Sequence, residues 1–384
     1  MPRKPKSTDR RICFVTGTRA EFGLMIPTLR AITQTPGLRL QLVATGMHLD
    51  PRHGDGLKRI TAEGWKIDAI IPWPAASSAL QNAAHTGTAM SALASAFARL
   101  RTDIVLVVGD RVEAFAAASA AHISGLIVAH VHGGDRALGQ VDDALRHAIT
   151  KLAHIHFPAT ARSAARIARL GEDRWRIHRA GSPGLDGIRA IATRSPDLAA
   201  RYGVSRKQFS LVALHPTDTA DAIEEQRAEL LLTALRSTKV HPLLVIGPNN
   251  DPGSLGIRRA WKRARSTINF HPDIPRADFL GLLRDAAFLI GNSSSGIIEA
   301  ASFHTPVIDV GNRQKGRERS SNVRHASFDP SSIRSAIAAV WRNGQPRPLK
   351  CHNVYGSGGA SKRVSGILST VTLDDRLRRK LIAY

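Results

Sequence analysis

The apolar run "IVLVV" (104–108), followed by "VEAFAAASAAHI", constrains the fold more than any other feature of this chain. A strand with no polar alternation must be covered on both faces, as in parallel sheets flanked by helices. The Ala-rich segment has helical period, and parallel strands need a crossover connection of that kind. The same wording occurs in "RICFVT" followed by "IPTLRAIT". It resumes from "FSLVALHP" (209–216) through "PLLVIGP", "AFLIGNSSS" and "TPVIDVG". We therefore expect two Rossmann-like α/β domains, 1–183 and 184–384, each built on a mostly parallel sheet. The segment "AGSPGLDGIRAIATRSPDLAARYGVS" carries Gly and Pro punctuation without a strong strand, which places the hinge near Pro183.

Two domains also suit the length, since 384 residues exceed what one hydrophobic core usually serves. Hydrophobic residues make up 43% of the chain, yet no apolar run approaches the ~20 residues of a membrane-spanning helix. The start, "MPRKPKSTDR", lacks the apolar segment of a secretory signal and reads as the tail of a cytoplasmic protein. Cys13 and Cys351 offer neither a disulfide framework nor metal-ligand spacing and are read as structural. The net charge of +23 attracts polyanions. The basic residues are nevertheless spread along the chain, aromatics make up only 5%, and no nucleic-acid-binding motif is present. A solvated Arg-rich surface is the preferred reading, and the same field suits a small phosphate-bearing substrate.

In open parallel sheets ligands collect beyond the C-terminal ends of strands. "VTGTRAEFG" places Gly17, Arg19 and Glu21 after the first strand, and "VVGDRVEAF" places Asp110 and Arg111 after another. "HVHGGDRALGQVDDALRH" (130–147) follows a third. Each alone suits a turn with a capping aspartate, but three at one topological position point to a functional rim. Gly133 and Gly134 let the backbone approach a ligand or adopt positive φ. "VDDALRHAITKLAH" has helical period, so Asp142 falls in a first turn, where the positive helix end favours an ionised carboxylate. His130 and His147 are read as orienting loops and are left outside the site.

In the second half, "LIGNSSSGIIEAASF" runs from a strand into a helix through Asn292, Ser293, Ser294, Ser295 and Gly296. Backbone N–H groups and hydroxyls there suit a diphosphate without a dedicated lysine. Glu299, about one turn on, suits ribose hydroxyls, although an exposed helix glutamate needs no function. "RQKGRER" places Arg313, Gln314, Arg317 and Arg319 after the strand "PVIDV". Some should face the diphosphate or the sugar, while Arg319 is most readily assigned to a solvated charge run. Neither a Walker-type phosphate loop nor a dinucleotide fingerprint is present, so neither metal nor cofactor is expected.

Taken in order, "VTGTRAEFG", "GDRVEAFAAA", "HVHGGDRALGQVDDALRHAITKLAHIHF", "IGNSSSGIIEA" and "DVGNRQKGRERSSNV" resemble the hydrolysing UDP-N-acetylglucosamine 2-epimerases over nearly the whole chain. The resemblance implies a glycosyltransferase-B arrangement, with the active site in the interdomain cleft and the last helix crossing back to the first domain. It implies elimination of UDP from UDP-GlcNAc to a glycal, then addition of water to give N-acetylmannosamine for sialic acid biosynthesis. It assigns catalysis to Asp110, Asp142 and His215, the diphosphate to Arg19, and phosphate and ribose contacts to Ser293, Ser294 and Glu299. It also implies a homo-oligomer, dimer or tetramer, with a small-molecule partner and no nucleic acid or membrane.

One departure bears on the chemistry. Some family members read HIEGGE where this chain reads His130-Val131-His132-Gly133-Gly134-Asp135. The first glutamate, a catalytic candidate there, is His132 here, and Asp135 replaces the terminal glutamate. His132 as acid or base and Asp135 in its stead both stay open. So does the sugar, with UDP-2,4-diacetamido-2,4,6-trideoxyglucose of the legionaminic acid pathway as the close alternative. A glycosyltransferase would use the same fold and nucleotide loop, but not the His130–His147 cluster. A nonhydrolysing epimerase is disfavoured by the "RHAITK" and "GNSSSG" wording.

Overall fold

The computed structural model describes residues 9–51, 55–74, 78–136, 142–217, 220–238, 241–249, 251–347 and 349–384. The chain forms two compact units, Met1–Asp186 with Tyr355–Tyr384, and Gly187–Val354. In the first, strands β1 (Arg10–Thr16), β2 (Leu38–Ala44), β3 (Ala69–Ile70), β4 (Ile104–Val108), β5 (Ile127–Val131) and β6 (Ile155–Phe157) pair in the order β3-β2-β1-β4-β5-β6. In the second, β7 (Ser210–Ala213), β8 (Leu243–Ile246), β9 (Asn269–His271), β10 (Phe288–Gly291), β11 (Val307–Val310) and β12 (Val323–Ala326) pair as β12-β11-β10-β7-β8-β9. Every pairing in both sheets is parallel.

Numbered within its own unit, each sheet has the Rossmann order 3-2-1-4-5-6. The strand order reverses between β1 and β4 in the first unit and between β7 and β10 in the second. These are the positions at which α/β sheets bind ligands.

The buried strands account for the sequence pattern. Ile12 and Phe14 join the apolar cluster on one face of the first sheet, and Cys13 and Val15 join the cluster on the other. Burial pushes the Cys13 thiol up to about 12, as befits a structural cysteine. The short strands β3, β6, β9 and β12 have no counterpart in the sequence pattern. β9 and β12 are edges: all three residues of β9 are half-buried, and β12 has two exposed side chains.

The C-terminal segment belongs to the first unit through specific bonds. The helix Ala360–Thr370 lacks a side-chain cap of its own, and the Asp186 carboxylate accepts from Ala360 N (3.0 Å) and Ser361 N (2.6 Å). Val364 and Leu368 enter the same core as Phe14. The Arg176 guanidinium donates to the carbonyls of Leu377, Arg376 and Arg379 at 2.7–2.9 Å, and Lys380 pairs with the buried Glu172 at 2.7 Å. Among the described residues no helix is long and apolar enough to cross a membrane.

Two glycines separate conformational need from habit. Gly291, at the end of β10, has φ +136°, and a Cβ there would lie 2.1 Å from the Ala213 carbonyl oxygen. Gly366 lies inside Ala360–Thr370, and a Cβ added to it would meet nothing within 4 Å. Gly291→Ala should therefore destabilise by about 3 kcal/mol. Gly366→Ala should stabilise by about 0.5–1 kcal/mol through helix propensity. Urea midpoints of the two variants against the parent check both signs.

Candidate functional site

Strands β1, β4 and β5 are neighbours in the first sheet, so the loops that leave their C-terminal ends share one rim. After β1, Thr18 caps the helix Arg19–Gln34, and Glu21 closes a capping box, its Oε2 accepting from Gly17 N (3.0 Å) and Thr18 N (3.1 Å). Arg19 is exposed and makes no ion pair among the described residues. After β4 come Asp110, Arg111 and Glu113. Glu113 is only 3% exposed and takes the Arg111 guanidinium in a fork, Nε to Oε2 at 3.1 Å and Nη2 to Oε1 at 3.2 Å.

Burial followed by the Glu113 charge pushes the Glu21 carboxyl up to about 7, against the pull of Arg111. Burial opposes the Arg111 charge, but Glu113, then Glu21 and Asp142, outweigh it and raise its pKa. Asp142 opens the helix Asp142–Leu152, and Arg146 stands one turn along it. Arg146 is buried; its Nη2 pairs with Asp110 and its Nη1 donates to the His132 carbonyl at 3.0 Å. Residues 137–141, within the motif that follows β5, lie outside the described residues.

His132 sits in the left-handed region at φ +60°, a conformation that costs a residue with a Cβ about 1–3 kcal/mol. Its Nδ1 meets Asp135 Oδ2 at 2.8 Å and its Nε2 meets Ser182 Oγ at 3.0 Å. Asp135 Oδ1 also accepts from Ser163 Oγ at 2.7 Å. A carboxylate facing Nδ1 accepts the proton-bearing nitrogen's hydrogen bond there, which orients the ring with Nε2 toward the serine hydroxyl. His132 and Asp135 thus act as one hydrogen-bonded unit. His130 is fully buried between the Gly109 carbonyl (2.8 Å from Nε2) and Thr150, in keeping with an orienting role.

The second unit shows a different chemistry at its switch point. Asn292, after β10, accepts from His215 N through Oδ1 and donates to the His215 carbonyl through Nδ2, each at 2.7 Å, which ties the ends of β7 and β10 together. The Asn292 carbonyl receives Gln314 Nε2 at 2.9 Å and Arg313 Nη1 at 3.3 Å. His215 Nδ1 accepts from Asn249 N at 3.1 Å, and burial, with Arg313 adding to it, pulls its pKa down to about 3. The neutral ring therefore carries its proton on Nε2 and is a hydrogen-bond donor at physiological pH.

The serine loop leads into a helix, as expected, but a short one. Ser294–Ile298 is five residues long and passes into the 3-10 turn Ala300–Phe303, so local N–H and hydroxyl donors, rather than a long helix dipole, are what it offers an anion. Ser293 is its N-cap, and Ser294 and Ser295 are half-buried. Glu299 is buried rather than exposed: Oε1 holds Arg276 at 2.6 Å, while Oε2 is buried without a protein partner. Arg317 Nε and Gln314 Oε1 are likewise buried and unpartnered. Arg319 is no solvated charge, since it pairs with the buried Asp309 at 2.6 Å and braces the Gln314 carbonyl at 3.4 Å.

The structure adds Glu113, Arg146 and His48 to the residues that the sequence singles out. The sequence reading passed over Arg146, although its spacing of four from Asp142 places the two on one helix face. His48, pulled down to about 4 by burial, meets Thr16 Oγ1 at 3.1 Å and carries no sequence signal. Among the described residues no cluster of three or more His, Cys, Asp or Glu is arranged to hold a metal ion.

Two Rossmann-like units, each with polar side chains in the loops beyond the C-terminal ends of its strands, define the class of protein as a two-unit parallel α/β fold. The family model for UDP-N-acetylglucosamine 2-epimerases matches residues 30–369, and the chain belongs to that family. It is 37% identical to the UDP-N,N'-diacetylbacillosamine 2-epimerase (hydrolyzing) of Legionella pneumophila, over 98% of this chain and the full length of that protein. It is 34% identical to the UDP-N-acetylglucosamine 2-epimerase of Neisseria meningitidis, over 85% of this chain and 86% of that one. The crystal structure of a UDP-GlcNAc 2-epimerase from Neisseria meningitidis bound to UDP-GlcNAc shares the fold, with a TM-score of 0.78 at 17% identity over 93% of this chain and 99% of the other.

The buried histidines carry a pH consequence. Burial holds His130 neutral by pulling it from 6.5 to about 3, although the bond to Gly109 works the other way. The stability this contributes is full above pH ~6.5 and is lost as pH falls toward the folded value, because only the unfolded chain takes up the proton. Unfolding free energy should fall between pH 6.5 and 4 by up to about 1.4 kcal/mol per pH unit for each such histidine. His130→Asn should flatten that slope by one histidine's share. Urea titrations across the window test this, and an unchanged slope counts against it.

Proposed function

We propose that the protein is a hydrolysing 2-epimerase of a UDP-activated 2-acetamido sugar, releasing UDP and the free 2-epimer. The observation that carries this reading is the gathering of Glu21, Asp110, Glu113 and Asp142 with two arginines on one rim. Removing a weakly acidic proton from carbon requires ionised carboxylates held in place, whereas glycosyl transfer from a nucleotide sugar does not require such a cluster.

A carboxylate takes the C2 proton, the C–H electron pair forms the C1=C2 bond, and the C1–O bond breaks with UDP departing. Water then adds its oxygen to C1, and a proton returns to C2 on the opposite face. We assign the proton transfers to Asp110 and Asp142, with the His132–Asp135 unit beside them. His215, a neutral Nε2–H donor, suits the leaving oxygen better than the substrate proton. Ser293, Ser294, Ser295, Arg313, Gln314 and Arg317 serve the diphosphate together with Arg19. Glu299 Oε2, buried without a partner, suits a ribose hydroxyl.

Of the two sugars, the 2,4-diacetamido-trideoxy sugar takes precedence over N-acetylglucosamine. Its support is the Legionella relative, matched at the higher identity and over its full length. The N-acetylglucosamine reading rests on the Neisseria relative, matched over less of each chain.

Turnover in D2O separates the outcomes. Either nucleotide sugar, if it is the substrate, should yield equimolar UDP and a free 2-epimer carrying deuterium at C2 by NMR. Unlabelled, unepimerised sugar would mean a transferase hydrolysing its donor and would sink the reading. Asp110→Asn and Asp142→Asn should each lower turnover by about 100-fold or more. UDP affinity by calorimetry should stay near that of the parent.

A further inference from the structure

We propose that Glu113 is a positioning residue for this reaction, holding the Arg111 guanidinium in the orientation from which its charge acts on Asp142. The inference rests on the reading of Asp142 as a carboxylate of the proton transfer.

The backbone is shaped around this side chain. A Cβ on Gly17 would lie 2.9 Å from Glu113 Cδ, and a Cβ on Gly46 would lie 2.4 Å from its Oε1. Gly17 does not need glycine for its backbone, since its φ is outside the left-handed region, so the space taken by Glu113 is what its missing Cβ provides. The loops after β1 and β2 thus both yield room to one buried carboxylate from the helix after β4.

That carboxylate is then committed to a single cation. The two contacts to Arg111, at 3.1 and 3.2 Å, fix the plane of the guanidinium, which one contact would not do. The other groups that face this arrangement are Glu21 from the helix after β1, His48 from the turn after β2, and Asp142 from the helix after β5. Arg19 also acts on His48. A neutral side chain at Glu113 would leave Arg111 with two carboxylates to serve instead of three and no fixed plane. Arg111 would then be drawn toward Asp142 and Glu21, and its restraint on both would change.

Glu113→Gln keeps the shape and removes the charge. The expected result is a fall in kcat of roughly tenfold or more, KM within about threefold of the parent, and an acidic limb of the kcat profile moved to lower pH. Glu113→Asp restores the charge with a shorter reach and should return the pH limb while recovering only part of kcat. Gly17→Ala displaces the side chain without touching any charge, and its kcat loss should not add to that of Glu113→Gln.

A readout independent of turnover accompanies these. By NMR of carbon-13-labelled glutamate, the Glu21 carboxyl should titrate near 7 in the parent and roughly one unit or more lower in Glu113→Gln. Parent-like kcat and pH limb in a folded Glu113→Gln, or a Glu21 titration that does not move, would overturn the proposal. Absence of turnover in the parent on both nucleotide sugars would instead refute the epimerase reading. The Glu21 titration would still decide whether Glu113 governs the charge of this rim.

Discussion

Carboxylates crowded at one sheet edge repel, and the first unit is organised around preventing that. Two like charges ~4 Å apart cost about 4 kcal/mol near a protein surface. That is comparable with the whole folding stability of a domain, on the order of 5–15 kcal/mol. Glu21, Asp110, Glu113 and Asp142 coexist because two guanidiniums divide them. Arg146 takes Asp110 and the His132 carbonyl, and Arg111 takes Glu113 while acting on Glu21 and Asp142. The compensation is incomplete at Glu21, whose carboxyl is pushed up to about 7 although three donors from Gly17 and Thr18 serve its Oε2. Burial first, and then the Glu113 charge, outweigh those donors, so the Glu21 carboxyl is only partly ionised near neutral pH.

The second unit meets the opposite constraint. An anion there must be held by groups that the protein has not already engaged. The Asn292 side chain is engaged: both of its polar atoms lock the His215 backbone. Arg319 is bound to Asp309. These bonds fix the ends of β7, β10 and β11, and the buried atoms without a protein partner nearby include Arg317 Nε, Gln314 Oε1 and Glu299 Oε2. Buried polar atoms without partners cost about 1–3 kcal/mol each.

Much of this was legible before the structure. Apolar runs such as Ile104–Val108 marked the central strands because a strand buried on both faces needs no polar alternation, and glycines and serines after those strands marked the rims. The strands β3, β6, β9 and β12 were not legible, since they are the outermost strands of their sheets, two to four residues long, and their pairing comes from neighbours already in the sheet. Glu113 was hidden for another reason. Three residues beyond Asp110, in the first turn of an Ala-rich helix, it reads as an ordinary acidic N-terminal residue, and only the folded positions of Gly17 and Gly46 expose its role. Glu299 was read as lying one turn into a helix, and a helix pattern cannot reveal that the helix stops after five residues with the following Glu299 buried.

The two sheets share one strand order, yet their rims carry opposite chemistry, so the fold itself does not choose the reaction. The choice lies in a few side chains at equivalent positions. After the first strand of each unit stand Thr18 and Glu21 in one case and His215 in the other; after the fourth stand Asp110, Arg111 and Glu113 against Asn292, Ser293 and Ser294. In the first unit the carboxylates and guanidiniums are bound mainly to one another. In the second the polar groups are bound to backbone, and what remains is a set of open donors and acceptors. A rim of the first kind changes as a group when one member is altered, because Glu21, Glu113 and Asp142 all act on Arg111. A rim of the second kind changes in affinity one contact at a time, because each open atom stands alone.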